Sequence, residues 1–114
     1  MQDWIVLTNA DELKAQIEAS YQKPVLIFKH STRCSISQMA LDRFERNWKE
    51  TGSNALTICY LDLLAHRDIS NQIASELQVE HQSPQILVLK NGTCVFTETH
   101  QSIRLSNALE SIKN

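Results

Sequence analysis

Three cysteines and four histidines hold most of the reactive capacity of this 114-residue chain. Cys34, Cys59 and Cys94 are odd in number and widely spaced, which is no disulfide framework. They form no C-x-x-C pair and no Cys/His cluster of zinc spacing. This usage fits a reducing, cytoplasmic setting in which a lone cysteine is either packing or chemistry. Cys59 falls in the apolar run Leu56–Leu61, and Cys94 precedes Val95-Phe96, so both read as small core hydrophobes. Cys34 has different surroundings. No Asp or Glu occurs from Ala19 through Leu41, while Lys23, Lys29, His30 and Arg33 all fall there. Neighbouring cations and a helix start favour a thiolate over a thiol, and the thiolate is the nucleophile in disulfide exchange. Three residues on, Ser37 completes a C-x-x-S pattern. Its hydroxyl can donate to the Cys34 sulfur but cannot form the disulfide that a second cysteine would. His30 lies four residues before Cys34 and His81 three before Pro84, on one expected rim, whereas His66 and His100 fall in loops facing solvent. No metal site is expected from His30, Cys34 and His81.

The elements that must position these residues alternate. Trp4-Ile5-Val6-Leu7 is a short first strand, and Thr8 or Asn9 caps a helix over Asp11–Tyr21 with Leu13, Ile17 and Tyr21 at i+4 spacing. Pro24 opens Val25-Leu26-Ile27-Phe28, a run apolar enough for a strand buried on both faces of a parallel sheet. A long helix follows on Ile36, Ala40, Phe44 and Trp48, ending before Gly52. Leu56–Leu61 is a second buried strand, and Asp68–Leu77 a helix on Ile69, Ile73 and Leu77. Gln85–Lys90 and Thr93–Thr97 flank Asn91-Gly92, a strong hairpin signal because both turn residues tolerate φ > 0. Ser102–Lys113 closes the chain as a helix. The order β-α-β-α-β-α-β-β-α describes an α/β fold in three layers, one domain over residues 1–114. It places Cys34 at the carboxyl end of a central strand, where open α/β sheets bind ligands.

Composition excludes other classes. Apolar residues make up 42% and charged residues 21%, and 11 Lys+Arg against 13 Asp+Glu leave a net charge of −2. That offers no basic field for nucleic acid or an anionic membrane. No apolar run approaches the ~20 residues that span a bilayer. The N-terminus also lacks the charged and apolar regions of a signal peptide.

The stretch Lys29-His30-Ser31-Thr32-Arg33-Cys34-Ser35-Ile36-Ser37 and the stretch Val79-Glu80-His81-Gln82-Ser83-Pro84-Gln85 resemble the thioredoxin-like superfamily. Together they are most similar to its monothiol bacilliredoxin (YtxJ-like) family of stress-response proteins. The resemblance covers nearly the whole chain. It implies a thioredoxin-like three-layer α/β/α sandwich, with a central mixed sheet and a C-terminal β-hairpin and helix. It also implies a thiol-disulfide oxidoreductase serving redox homeostasis, in which Cys34 removes bacillithiol, or a related low-molecular-weight thiol, from protein mixed disulfides. Ser37 then stands where dithiol relatives carry the resolving cysteine. Pro84 matches the cis-proline facing the active site, and His30, Arg33, Ser35, Ile36, His81 and Ser83 complete the implied substrate-binding surface. The implied partners are S-thiolated client proteins and the small thiol itself, with no bound cofactor or metal. Two positions depart from the pattern. Ser35 follows Cys34 where the family commonly has proline, and Phe28 replaces the buried acid of thioredoxin, which points to simple thiolate exchange. Two other classes are a non-catalytic thioredoxin-like binding module and an iron–sulfur carrier like some monothiol glutaredoxins. The latter typically carry C-G-F-S, and Cys34-Ser35-Ile36-Ser37 lacks the Gly-Phe pair.

Overall fold

A computed structural model of the chain describes residues 3–51 and 54–113. Five strands, β1 (Ile5–Val6), β2 (Val25–His30), β3 (Thr57–Asp62), β4 (Gln85–Lys90) and β5 (Thr93–Thr99), form one mixed sheet in the order β1-β3-β2-β4-β5. β1, β3 and β2 run parallel, while β4 and β5 are antiparallel additions on the other side of β2. All six residues of β2 are buried, as a central strand covered on both faces must be.

Four helices supply the covers: α1 (Ala10–Ala19), α2 (Ser35–Thr51), α3 (Arg67–Leu77) and α4 (Leu105–Ser111). Alternation along β2 divides the core. Leu26 and Phe28 pack with Ala40, Leu41 and Phe44 of α2 and with Leu105 and Ala108 of α4. Val25 and Ile27 pack with Leu13 of α1 and with Ile69 and Ile73 of α3. Phe44 joins its cluster through edge-on ring contacts to Trp4 (5.7 Å) and Phe28 (5.4 Å). The expected three-layer sandwich is therefore present, with α2 and α4 on one face and α1 and α3 on the other.

Local chemistry sets the ends. Asn9 caps α1, its Oδ1 accepting from the Glu12 N–H at 2.9 Å, and Glu12 reaches back to the Thr8 N–H at 2.7 Å. Asn91 (φ 56°) and Gly92 (φ 80°) supply the two left-handed residues of the hairpin turn.

Three expectations change. Tyr21 lies beyond α1 and is exposed, because Ser20 ends the helix and turns to the hairpin, accepting from the Gly92 N–H at 2.8 Å. Ile36, in the first turn of α2, is exposed, because the buried face of the helix runs through Ser37, Ala40, Leu41 and Phe44 instead. The last helix does not begin at Ser102. A 3₁₀ turn over His100–Ser102 precedes extended Ile103 and Arg104, which lets Ile103 reach the core before α4 starts. Arg43 Nη2 fixes that detour by donating to the Ile103 carbonyl at 3.1 Å. The helix stop expected at Gly52 lies outside the described residues; α2 itself runs to Thr51.

Candidate active site

The carboxyl ends of β2 and β3, the start of α2 and the entry to β4 meet at one edge of the sheet. Cys34 is the residue before α2, and its carbonyl accepts the first helical bond from the Gln38 N–H at 3.0 Å. It is partly exposed, and no acidic residue stands in the first turn of the helix. The free amides and the positive end of the dipole thus begin beside its sulfur.

Facing it is the loop before β4, with the Ser83–Pro84 peptide bond in the cis form. Ser31, Cys34, Leu63, Leu64, Arg67, His81 and Ser83 line an open, solvent-facing hollow of about 300 Å³. A larger cleft of about 440 Å³, near Trp4 and Trp48, lies at the opposite end of the strands. Pro84 is buried behind the rim, while Arg33, Ser35 and Ile36 lie exposed around Cys34.

Two polar clusters, each anchored on a buried side chain of β2, support this edge, one on each face, because the last two residues of β2 point opposite ways. His30 points to the α2 side and is 1% exposed. Its Nδ1 lies 2.7 Å from Ser37 Oγ, and the same oxygen accepts from the Ser31 N–H at 3.0 Å. Burial holds the His30 imidazole below its usual titration range, against the opposing pull of Asp62. Two expectations change here. His30 is too deeply buried to touch a substrate. Ser37, fully buried, spends its oxygen on His30 and Ser31, and no hydrogen bond joins it to Cys34 among the described residues.

Lys29 points to the α3 side and is also 1% exposed. Its Nζ donates to Gln85 Oε1 at 3.0 Å and meets His81 Nδ1 at 2.7 Å. Burial brings the Lys29 ammonium down to about 8. His81 is also held low, by loss of hydration on its inner edge and then by Lys29 and Arg67. Gln85 completes the brace, accepting from the Gln82 N–H at 3.2 Å and donating to the Glu80 carbonyl at 3.2 Å. Sequence reasoning counted Lys29 only as a cation near Cys34, gave Gln85 no role of its own and missed Arg67. The available signal was a pair of polar residues ending an otherwise apolar strand, where the pleat must bury one on each face.

The other cysteines sit elsewhere. Cys59 is fully buried in mid-strand beside Ile27, and burial pushes its thiol up to about 12. Cys94 lies at the hairpin end of β5, level with Leu89 and hence with Val25, five strand residues (about 16 Å) below His30. Partial burial raises its thiol as well. Among the described residues no group of three or more His, Cys, Asp or Glu is placed to hold a metal ion. No helix there is long and apolar enough to cross a membrane.

Known proteins share this frame. A solved structure, described only provisionally as an oxidoreductase with a thioredoxin fold, is 31% identical, with a TM-score of 0.84 over 98% of this chain and 96% of its own. Thioredoxin O2 from Arabidopsis thaliana, in its oxidised state, aligns with a TM-score of 0.72 at 17% identity over 98% of this chain and 96% of its own. Mitochondrial thioredoxin 3 from Saccharomyces cerevisiae gives 0.68 at 20% identity over 96% and 92%. These two likenesses bear on the fold alone. Residues 5–108 match the family described as monothiol bacilliredoxin BrxC. With its cysteine at the head of α2 opposite a cis-proline, the chain belongs to the monothiol bacilliredoxin family, thiol oxidoreductases on a thioredoxin fold.

Proposed function

We propose that this protein removes bacillithiol, or a related low-molecular-weight thiol, from protein mixed disulfides through Cys34. One observation carries the reading: a partly exposed cysteine at the start of α2 opens onto a hollow walled by the cis-Pro84 loop, while the other two cysteines lie within the strands of the sheet. The Cys34 thiolate attacks the small-thiol sulfur of the client's mixed disulfide. A Cys34–small-thiol disulfide forms, the client's sulfur–sulfur bond breaks, and the client cysteine leaves as a thiolate that takes a proton from water. A second molecule of the small thiol, as thiolate, then attacks the small-thiol sulfur on Cys34. That step yields the symmetric small-molecule disulfide and returns the Cys34 thiolate. Ser37 supports the first step by bracing the loop before Cys34, and having no sulfur it leaves the second step to a thiol from solution.

The test is reduction of a bacillithiol-modified protein by the wild type and three single variants, followed by intact mass. Cys34→Ser abolishes the reaction, whereas Cys59→Ser and Cys94→Ser retain it. Loss of turnover in a folded Cys59→Ser or Cys94→Ser protein would establish a distant resolving cysteine instead. Failure of wild-type Cys34 to acquire the small thiol would favour a binding module without turnover.

A further inference from the structure

We propose that His81 is a catalytic hydrogen-bond donor in the exchange reaction, its Nε2–H holding the thiolate that leaves, and that Lys29 is the positioning residue that fixes it as a donor. The proposal rests on the exchange reaction given above and adds to it two residue roles.

The first observation is which ring nitrogen of His81 is already engaged. Its Nδ1 lies 2.7 Å from Lys29 Nζ and 3.4 Å from Ser70 Oγ. Lys29 titrates near 8, so at neutral pH it is an ammonium, which donates and cannot accept. Nδ1 is therefore the acceptor, and the proton of the neutral ring sits on Nε2. Gln85 holds Lys29 in that pose. Its Oε1 faces two donors, Lys29 Nζ at 3.0 Å and the Gln82 N–H at 3.2 Å, while its Nε2 donates to the Glu80 carbonyl at 3.2 Å. A flipped amide would set donors against donors, so the orientation is unique. Burial and the cations Lys29 and Arg67 favour the neutral imidazole.

The second observation is that the Nε2–H is unspent. Among the described residues it has no hydrogen-bond partner, and no hydrogen bond joins His81 to Cys34. Yet His81 and Cys34 line the same hollow. In-line exchange accounts for that separation. The attacking, central and leaving sulfurs stand in a row, so the leaving sulfur lies about 4–5 Å from Cys34, roughly two S–S bond lengths away. A donor set apart from Cys34 thus serves the far sulfur, where negative charge builds as the disulfide breaks. A preorganised N–H aimed at developing charge lowers the barrier without any proton changing hands. The ammonium behind the ring polarises that N–H and strengthens it as a donor. The client thiolate then takes its proton from water, as in the reaction above.

The experiment compares the rates at which Cys34 attacks two symmetric disulfides, read by peptide mass at Cys34. Dithiobis(nitrobenzoate) releases an acidic aromatic thiolate, and bis(hydroxyethyl) disulfide releases a basic alkyl thiolate. Help to the leaving sulfur matters most where the departing thiolate is basic. His81→Phe should therefore slow the alkyl disulfide about tenfold, the worth of one hydrogen bond to a charged group, and leave the aromatic one nearly unchanged. His81→Gln, whose amide N–H falls near the place of Nε2, should recover most of the alkyl rate. Lys29→Met should give an intermediate loss on the same disulfide. Imidazole nitrogen shifts by NMR should report the Nε2–H form of His81 in the wild type and a mixture of tautomers in Lys29→Met. Each comparison is a ratio of two rates on one protein sample, so any loss of folded protein cancels. Equal slowing of both disulfides by His81→Phe, an alkyl rate that survives it, or an Nδ1–H ring in the wild type overturns the donor role and leaves the exchange reaction standing. A wild type whose Cys34 attacks neither disulfide overturns both.

Discussion

Ser37 ties the end of β2 to the start of α2 through a single oxygen, in contact with His30 and the Ser31 amide at once. Replacing it with alanine leaves two buried polar groups unpaired, so Ser37→Ala should lose about 1–3 kcal/mol in urea unfolding. The loss should be accompanied by faster hydrogen exchange at Ser31. Ser37→Cys addresses chemistry instead, because it puts a thiol one turn along α2 from Cys34. After one exchange the introduced thiol should attack Cys34, release the small thiol and leave an intramolecular disulfide, read as a mass loss of about 2 Da. Wild type should stall as the Cys34 mixed disulfide when no further thiol is added. Lys29 sets a pH dependence. Its folded value near 8 lies below the unfolded 10.5, so the unfolded chain holds more proton between them and stability rises with pH across that window. Below about pH 8 the folded protein bears the whole cost of the buried ammonium. Lys29→Met removes this term, so wild type should gain about 2 kcal/mol on the variant between pH 7 and pH 10, one pKa unit being ~1.4 kcal/mol. A pH-independent difference in chemical denaturation would show that Lys29 is not buried as a cation.

Elements meet at both ends of the sheet, and the end remote from Cys34 shows how little sequence separation matters to a brace. The turn after α1 holds the β4–β5 hairpin: the Ser20 carbonyl accepts from the Asn91 N–H at 3.0 Å, and Ser20 Oγ accepts from the Gly92 N–H. Gly92 has φ of 80°, and a Cβ there would come within 2.5 Å of Tyr21 Oη. Gly92→Ala should cost about 1–2 kcal/mol, from the left-handed backbone. Tyr21 can swing out to solvent, so Tyr21→Ala should not rescue the variant. Full rescue would locate the strain in the ring contact. The Asn-Gly pair was legible because hairpin turns need two positive φ values in succession. The start of α4 was not, because a helical pattern on Ile103, Leu105 and Ala108 also fits an extended Ile103 followed by a short helix.

At the level of the whole molecule, burial in a two-sided core divides the three thiols. Cys34 and Cys94 are both partly exposed, Cys34 at the head of α2 and Cys94 in β5, whereas Cys59 is buried between the sheet and α1/α3. A short pulse of iodoacetamide on the native protein should label Cys34 first, and Cys59 only as fast as the chain unfolds globally. Labelling of Cys59 at the native rate of Cys34 would contradict the packing.

The sequence by itself determined the alternation of elements, the buried central strand, the hairpin turn and the setting of Cys34. Each follows from local periodicity, backbone preference or the neighbours of one residue. Only the tertiary structure decided which polar side chains face the cysteine. Lys29 and His30 are adjacent in sequence, yet the pleat sends one to His81 and the other to Ser37. Arg67 enters the site from α3, 33 residues after Cys34, and no local pattern marks it. Such meetings depend on strand order and register, which arise from packing the whole chain around two apolar faces.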